Sequence, residues 1–328
     1  MKKYIRFFIV LVFFAGNTIL SQTEEWQIYN TSNSHLPVNG IHAITFDKEN
    51  NIWIGTWGGG LVLFDDEDTI VYDTLNSELP NNIIYTIVVD DENNKWIGTY
   101  GGGVAKFDND QFIVYDTSNS GLPHDWIYSV VIDNSGNKLF GTWGGGFSIF
   151  DDTNWTTFNR KNSPLPVPKV TAIAVDSRDR IWIGTSGDLI MLDKTKWFMS
   201  EDLNIYPPIE GVYAMHIDIR DRIFIGIKFG GVYIIDGDNF YHLSKENSGL
   251  PNNGVSNLTT DKNGILWIAN FGSGLIKYDG EKWKVYNAAN SELPDDNVFT
   301  VTIDKHNNKW VGTYSGGLIV FNEKGIKL

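Results

Sequence analysis

The sequence predicts an all-β fold, a seven-bladed β-propeller with four-stranded blades, and three observations carry that prediction. An Asp recurs as Asp47, Asp90, Asp133, Asp176, Asp218, Asp261 and Asp304, at spacings of 42 or 43 residues. Within each repeat, short β-branched or aromatic runs alternate with Gly, Asn and Asp, and no stretch has a helical period. The third observation is phase: the repeats open with a lone outer strand and end without one.

In chain order, residues 1–21 read as a secretory signal. Lys2, Lys3 and Arg6 form a basic start, Phe7 to Ala15 a short apolar core, and Ser21 a small residue before a cut. That apolar run is too short to span a bilayer. Residues 22–328 are then the propeller. Its first element, Glu25 to Tyr29, is an outer strand with no inner strands before it. The first full unit supplies strand a (Ile41 to Phe46), strand b (Ile52 to Thr56), strand c (Leu61 to Phe64) and strand d (Thr69 to Tyr72). The last unit stops after a c-type strand, Leu318 to Phe321. The N-terminal strand is expected to complete that blade, so that the ring closes without an unpaired edge.

Composition narrows the function classes. Asp and Glu outnumber Lys and Arg by 40 to 26, for a net charge of −14, and loss of the three basic signal residues deepens it. Such acidity opposes nucleic acid and anionic lipid as partners. There is no cysteine, which excludes disulfides, thiolate zinc sites and cysteine nucleophiles. No second apolar run of spanning length follows the signal, so membrane insertion is not expected. The mature chain is expected to be exported and soluble, in the periplasm or outside the cell.

Six residues after each Asp stands Trp53, Trp96, Leu139, Trp182, Phe224, Trp267 or Trp310. A Gly-Thr pair follows in five units, with Gly226-Ile227 and Ala269-Asn270 as departures. From Asp47 to Asp65 the unit reads D-K-E-N-N-I-W-I-G-T-W-G-G-G-L-V-L-F-D. It resembles the two-component regulator propeller repeat, and the resemblance covers essentially all of the mature chain. The resemblance implies the extracytoplasmic sensor of a hybrid histidine kinase, often one for glycan fragments. The sequence carries no kinase, regulator or transmembrane segment, so only the propeller part of the resemblance is expected to apply.

In a propeller the d-to-a and b-to-c connections share one face. The d-to-a loops carry N-S-x-L-P in six units, as at Asn33 to Pro37, and the fifth blade breaks the pattern with Asn204 to Pro208. This repetition reads as structure: Asn and Ser satisfy the turn, Leu plugs between blades and Pro fixes the exit. On the same face, the residue after Gly-Thr is Trp57, Tyr100, Trp143, Ser186, Lys228, Phe271 or Tyr314. Ordered around the closed ring, Phe271, Tyr314, Trp57, Tyr100 and Trp143 fall on five consecutive blades. Such rings suit stacking on sugar faces, or they pack on the neighbouring Leu-Pro loops. A second set, His42, Tyr85, Tyr128, Thr171, Tyr213, Ser256 and Phe299, begins strand a and is expected at the channel mouth. Trp126, beside His124 and Asp125, enriches one loop tip.

The candidate ligand-binding residues are therefore Trp57, Tyr100, Trp143, Phe271, Tyr314, His42, Tyr85, Tyr128, Tyr213 and Trp126. The Asp turns offer oxygens, but none has the closing bidentate Glu of a calcium loop, and each reads as an Asp tied to its own amides. No metal or cofactor is expected. The six histidines have no ligand spacing, and there is no nucleophile elbow or phosphate loop. The reading is a non-catalytic binding or sensing propeller for a glycan or peptide. Two alternatives stand beside it: a scaffold for a cell-surface protein partner, and a polysaccharide or lactone lyase using His42, Tyr85, Tyr128 and His124.

Overall fold

The computed structural model describes residues 25–65, 68–205 and 208–327. The expected signal at residues 1–21 lies outside them, as do Tyr206 and Pro207 of the fifth-blade loop. The described strands form seven antiparallel four-stranded sheets, six of them meanders of consecutive strands. The seven a strands are Ile41–Phe46, Ile84–Val89, Ile127–Ile132, Val170–Val175, Val212–Ile217, Val255–Thr260 and Val298–Ile303. Each packs beside the a strands of its two neighbours, and the seventh packs beside the first. The fold is a closed seven-bladed β-propeller.

Closure follows the expected phase. In blade 7 the strands Val298–Ile303, Lys309–Thr313 and Leu318–Phe321 are joined by the N-terminal strand Trp26–Tyr29. The register pairs Trp26 with Phe321 and Tyr29 with Leu318. Glu25 stays outside the strand, but its carbonyl accepts the Asn322 amide at 2.9 Å. In blade 1 the outer strand begins at Ile70 rather than Thr69, because the Thr69 hydroxyl turns back to the Asp65 carbonyl.

The repeated residues each serve a local need. Asp47 Oδ1 accepts the amides of Glu49 and Asn51, and Oδ2 accepts the Trp53 indole at 3.0 Å. Burial alone would raise the Asp47 carboxyl, but these hydrogen bonds and nearby Lys95 hold it below the usual carboxylate range. The same bond to Trp recurs from Asp90, Asp176 and Asp304. With its oxygens spent on amides and indole, the Asp turn is a structural clamp. The motif glycine is a close approach between blades. A Cβ on Gly55 would come within 2.6 Å of Ile84, and across the seam one on Gly312 would come within 2.7 Å of Ile41.

The loops after strand d behave as a structural segment should. Asn33 donates to the Ile28 carbonyl, Ser34 to the Asn30 carbonyl, and Leu36 is buried between blades. Leu79, Leu122, Leu165, Leu250 and Leu293 are buried likewise. Where the fifth blade departs, a single 3₁₀ turn at Ser200–Leu203 leads to Ile205 and Ile209, both buried.

Candidate functional site

The turns between strands b and c are locked before they display their aromatic residue. Thr56 is fully buried; its hydroxyl donates to the Gly60 carbonyl at 2.7 Å and accepts the Gly59 amide at 2.9 Å. Thr99, Thr142 and Thr313 repeat the tie. Each following ring is then held by its backbone: the Trp57 amide donates to the Gly40 carbonyl, and the Trp143 amide to the Trp126 carbonyl. The closest packing on the Leu-Pro loops comes from glycines of these turns. Gly59, Gly102, Gly145 and Gly316 abut Pro37, Pro80, Pro123 and Pro294, at distances where a Cβ would clash. Trp57, Tyr100 and Trp143 keep 37 to 39% of their surface, and Phe271 and Tyr314 just over half.

The second set owes its position to a device the sequence does not advertise. In every blade the pairing of strands a and b slips by one residue at the start of strand a. The residues passed over are His42, Tyr85, Tyr128, Thr171, Tyr213, Ser256 and Phe299. A β-bulge re-aims the side chain of its extra residue, and here all seven line one cavity of about 220 Å³ at the channel.

The bulge residues and turn residues together form a belt of rings. From Phe271 it runs through Phe299 (6.0 Å between centroids) to His42 (4.6 Å), with Tyr314 on Phe299 at 5.5 Å. His42 stacks on Trp57 at 5.3 Å and meets Tyr85 at 4.9 Å. Tyr85 contacts Tyr128 at 5.0 Å and Tyr100 at 6.2 Å, and Tyr100 meets Trp126 at 4.0 Å. Trp126, Tyr128 and Trp143 are near-parallel, with Trp126 and Trp143 at 4.5 Å and 14°. Nine of the ten sequence-selected residues join this belt. Tyr213 reaches the channel but contacts none of its rings among the described residues.

Two residues of the mouth were not among the sequence-selected candidates. Lys169 holds its ammonium 3.6 Å from the Trp143 ring centroid and 5.1 Å from that of Tyr128, and Lys228 sits over Tyr213 at 5.7 Å. Both line a funnel of about 370 Å³ with Trp57, Trp143, Tyr213 and Tyr314. Lys228 was visible as a break in the aromatic run. Lys169 occupies the slot before strand a that Trp126 holds one blade earlier, and nothing in its spacing marks it.

The electrostatics favour neutral hydrogen bonding over acid–base work. Enclosure by Trp57, Tyr85 and Phe299 pushes His42 down to about 4, so it is neutral near pH 7. Burial pushes the Tyr85 phenol up to about 12 and raises Tyr128 and Tyr213 as well. The Trp126 Nε1 is buried and, although close enough to favour a Tyr85 phenolate, forms no hydrogen bond of proper geometry. His124 Nδ1 is occupied by the Trp126 amide at 2.9 Å. His42 has no carboxylate partner among the described residues to orient it as a base.

The opposite face carries a larger cleft, about 660 Å³, between blades 4 and 5, which the sequence reading also missed. Arg178, Arg180 and Arg220 line it with Trp182 and Phe240, but Asp221 and Asp238 are in the same wall and Arg180 is bound to Asp176 at 2.6 Å. Its charges are thus matched internally.

Comparison with known proteins places this geometry in context. The model of the two-component regulator propeller matches residues 35–58, 164–187 and 249–272. No curated protein matches the sequence. Two solved extracellular domains, attributed to hybrid two-component systems of B. thetaiotaomicron, superpose with TM-scores of 0.76 and 0.75 at 21% and 18% identity. They cover 90% and 92% of this chain, which itself spans about two fifths of their length (41% and 40%). Virginiamycin B lyase from Staphylococcus aureus superposes at 0.72 with 12% identity, over 90% of this chain and 98% of that one. At these identities the likeness is one of fold. Among the described residues no helix is long and apolar enough to cross a membrane. The Asp, W-I-G-T and Gly-rich signature recurs around a closed ring, and three of its segments match the two-component regulator propeller repeat directly.

Proposed function

We propose that this propeller is a non-catalytic, extracytoplasmic sensing module that binds a glycan on its aromatic channel mouth. The observation that carries the reading is the continuous belt of exposed and half-buried rings, locked from behind by buried threonines and bulges, so that little is left to order on binding. The Tyr85, Tyr128 and Tyr213 hydroxyls supply hydrogen-bonding groups beside those faces. The matched propeller repeats and the extracellular fold neighbours support export, with residues 1–21 as the signal, and support sensing as the role.

The test is a glycan array probed with the purified mature chain, followed by calorimetry on the hits. Trp57→Ala and Trp143→Ala should each weaken binding about 30-fold, the loss of a hot-spot ring worth about 2 kcal/mol, with unchanged melting. Unchanged affinity in both variants would refute the site. Binding of peptides or a cell-surface protein but no glycan would refute the ligand class.

A further inference from the structure

The mouth is chemically lopsided. Blades 6, 7, 1, 2 and 3 present rings, whereas blades 4 and 5 present Ser186 and Lys228, and Lys169 fills that same sector. No Asp or Glu is among the residues lining the funnel, in a chain where acids outnumber bases by 40 to 26. Two ammonium groups facing one cavity without a counter-charge repel each other, and that repulsion adds to burial in depressing the Lys169 ammonium.

Three buried lysines over rings show what a structural cation looks like in this fold. Lys95 over Trp53 reaches Asp47 at 3.4 Å and Asn109 Oδ1 at 2.5 Å. Lys138 over Trp96 reaches Asp152 at 2.6 Å, and Lys309 over Trp267 donates to the Asn307 carbonyl at 2.9 Å. Each combines a ring on one side with an oxygen on another. Lys169 and Lys228 have their rings but no protein oxygen within hydrogen-bond reach among the described residues. The ring face satisfies one side of an ammonium that carries three donors.

We infer that the ligand carries an anionic group, a carboxylate or a sulfate, seated between Lys169 and Lys228 while its sugar body stacks on the aromatic arc. This rests on the glycan reading above. The ring arc selects planar apolar faces, and the basic sector fixes which end of the ligand points to blades 4 and 5. The chemical class is therefore an acidic oligosaccharide, bearing uronate or sulfate, read in one orientation.

The experiment uses uronate-bearing and sulfated oligosaccharides on an array, each paired with its carboxyl-reduced or desulfated counterpart. The parent should bind the acidic member of a pair at least tenfold more tightly, because charge-assisted hydrogen bonds are the strong ones. That preference should shrink as salt is raised. In K169Q/K228Q it should collapse to about onefold, and K169R/K228R should restore it; melting curves check that all three fold. Preference for the uronate arm identifies a carboxylate ligand, and preference for the sulfated arm a sulfate. Equal binding of acidic and neutral partners, or a preference that survives K169Q/K228Q, would overturn the anionic inference while leaving the glycan reading intact. Absence of binding to any glycan, acidic or neutral, would overturn both.

Discussion

Closure by the N-terminal strand can be tested at one side chain. Trp26 is 9% exposed, stacks on Phe321 with centroids 4.0 Å apart, and meets Tyr286 of blade 6 edge-on at 5.8 Å. It thus joins the last two blades through a strand contributed by the opposite end of the chain. Truncating a buried Trp to Ala costs about 3–5 kcal/mol, which at about 2–4 °C per kcal/mol is a drop of roughly 6–20 °C in Tm. Gln27, next in the strand and half-buried, serves as the control: Gln27→Ala should stay within about 0.5 kcal/mol. Deleting residues 25–30 should be worse, because Leu318, Ile319 and Phe321 are fully buried under or beside that strand and would face water. A synthetic peptide of residues 24–31 added to the deletion variant should raise its Tm by pairing with the vacated edge. Calorimetry or circular dichroism reads each change. A Trp26→Ala protein that melts like the parent, or a deletion variant equal to the parent and indifferent to the peptide, would refute the shared blade.

Two further outcomes follow from buried groups. His42 and His216 are both pushed down to about 4 by burial, from an ordinary 6.5. The unfolded chain binds those protons first, so their contribution is whole above pH 6.5 and is lost as pH falls towards 4, up to about 3 kcal/mol each. Denaturant unfolding of the parent and His42→Gln should therefore differ by an amount that changes between pH 7 and pH 4.5; a constant difference would show that His42 does not titrate as described. At the blade interface, a Cβ on Gly184 would come within 2.2 Å of Val212, so Gly184→Ala should cost about 1–3 kcal/mol in a melting experiment. An unchanged Tm there would mean that the blades can part without penalty.

How much of this was legible depended on whether a residue answers a need that every blade shares. Asp47 and its counterparts clamp one kind of turn, Leu36 and its counterparts fill one kind of gap, and Gly55 and its counterparts face the next a strand. Because the need repeats, the residues repeat, and both the blade count and the phase can be read off. The aromatic mouth was partly legible for the opposite reason: the residue after Gly-Thr varies while its neighbours do not. The bulges were hidden, since a slip of one residue leaves Ile41, Ala43 and Ile44 looking like an ordinary strand. Lys169 was hidden because its slot holds Gly40, Ile83, Trp126, Gly211, Gly254 and Asn297 in the other blades, a series without pattern. The cleft between blades 4 and 5 arises beside the 3₁₀ turn, in the one loop that departs from N-S-x-L-P.

The bulges have a consequence for how such a mouth can change over time. In blade 1 the ladder joins Ile41 to Thr56 and Ala43 to Gly55, so His42 has no cross-strand partner whose packing it must match. The same holds at each of the other six bulges, where Tyr, Thr, Ser and Phe stand in otherwise matching frames. Selection can therefore rewrite the lining one blade at a time without disturbing the sheet that carries it. The mouth behaves as a seven-letter word on a fixed frame, and two propellers of this build can recognise different molecules while their skeletons stay interchangeable.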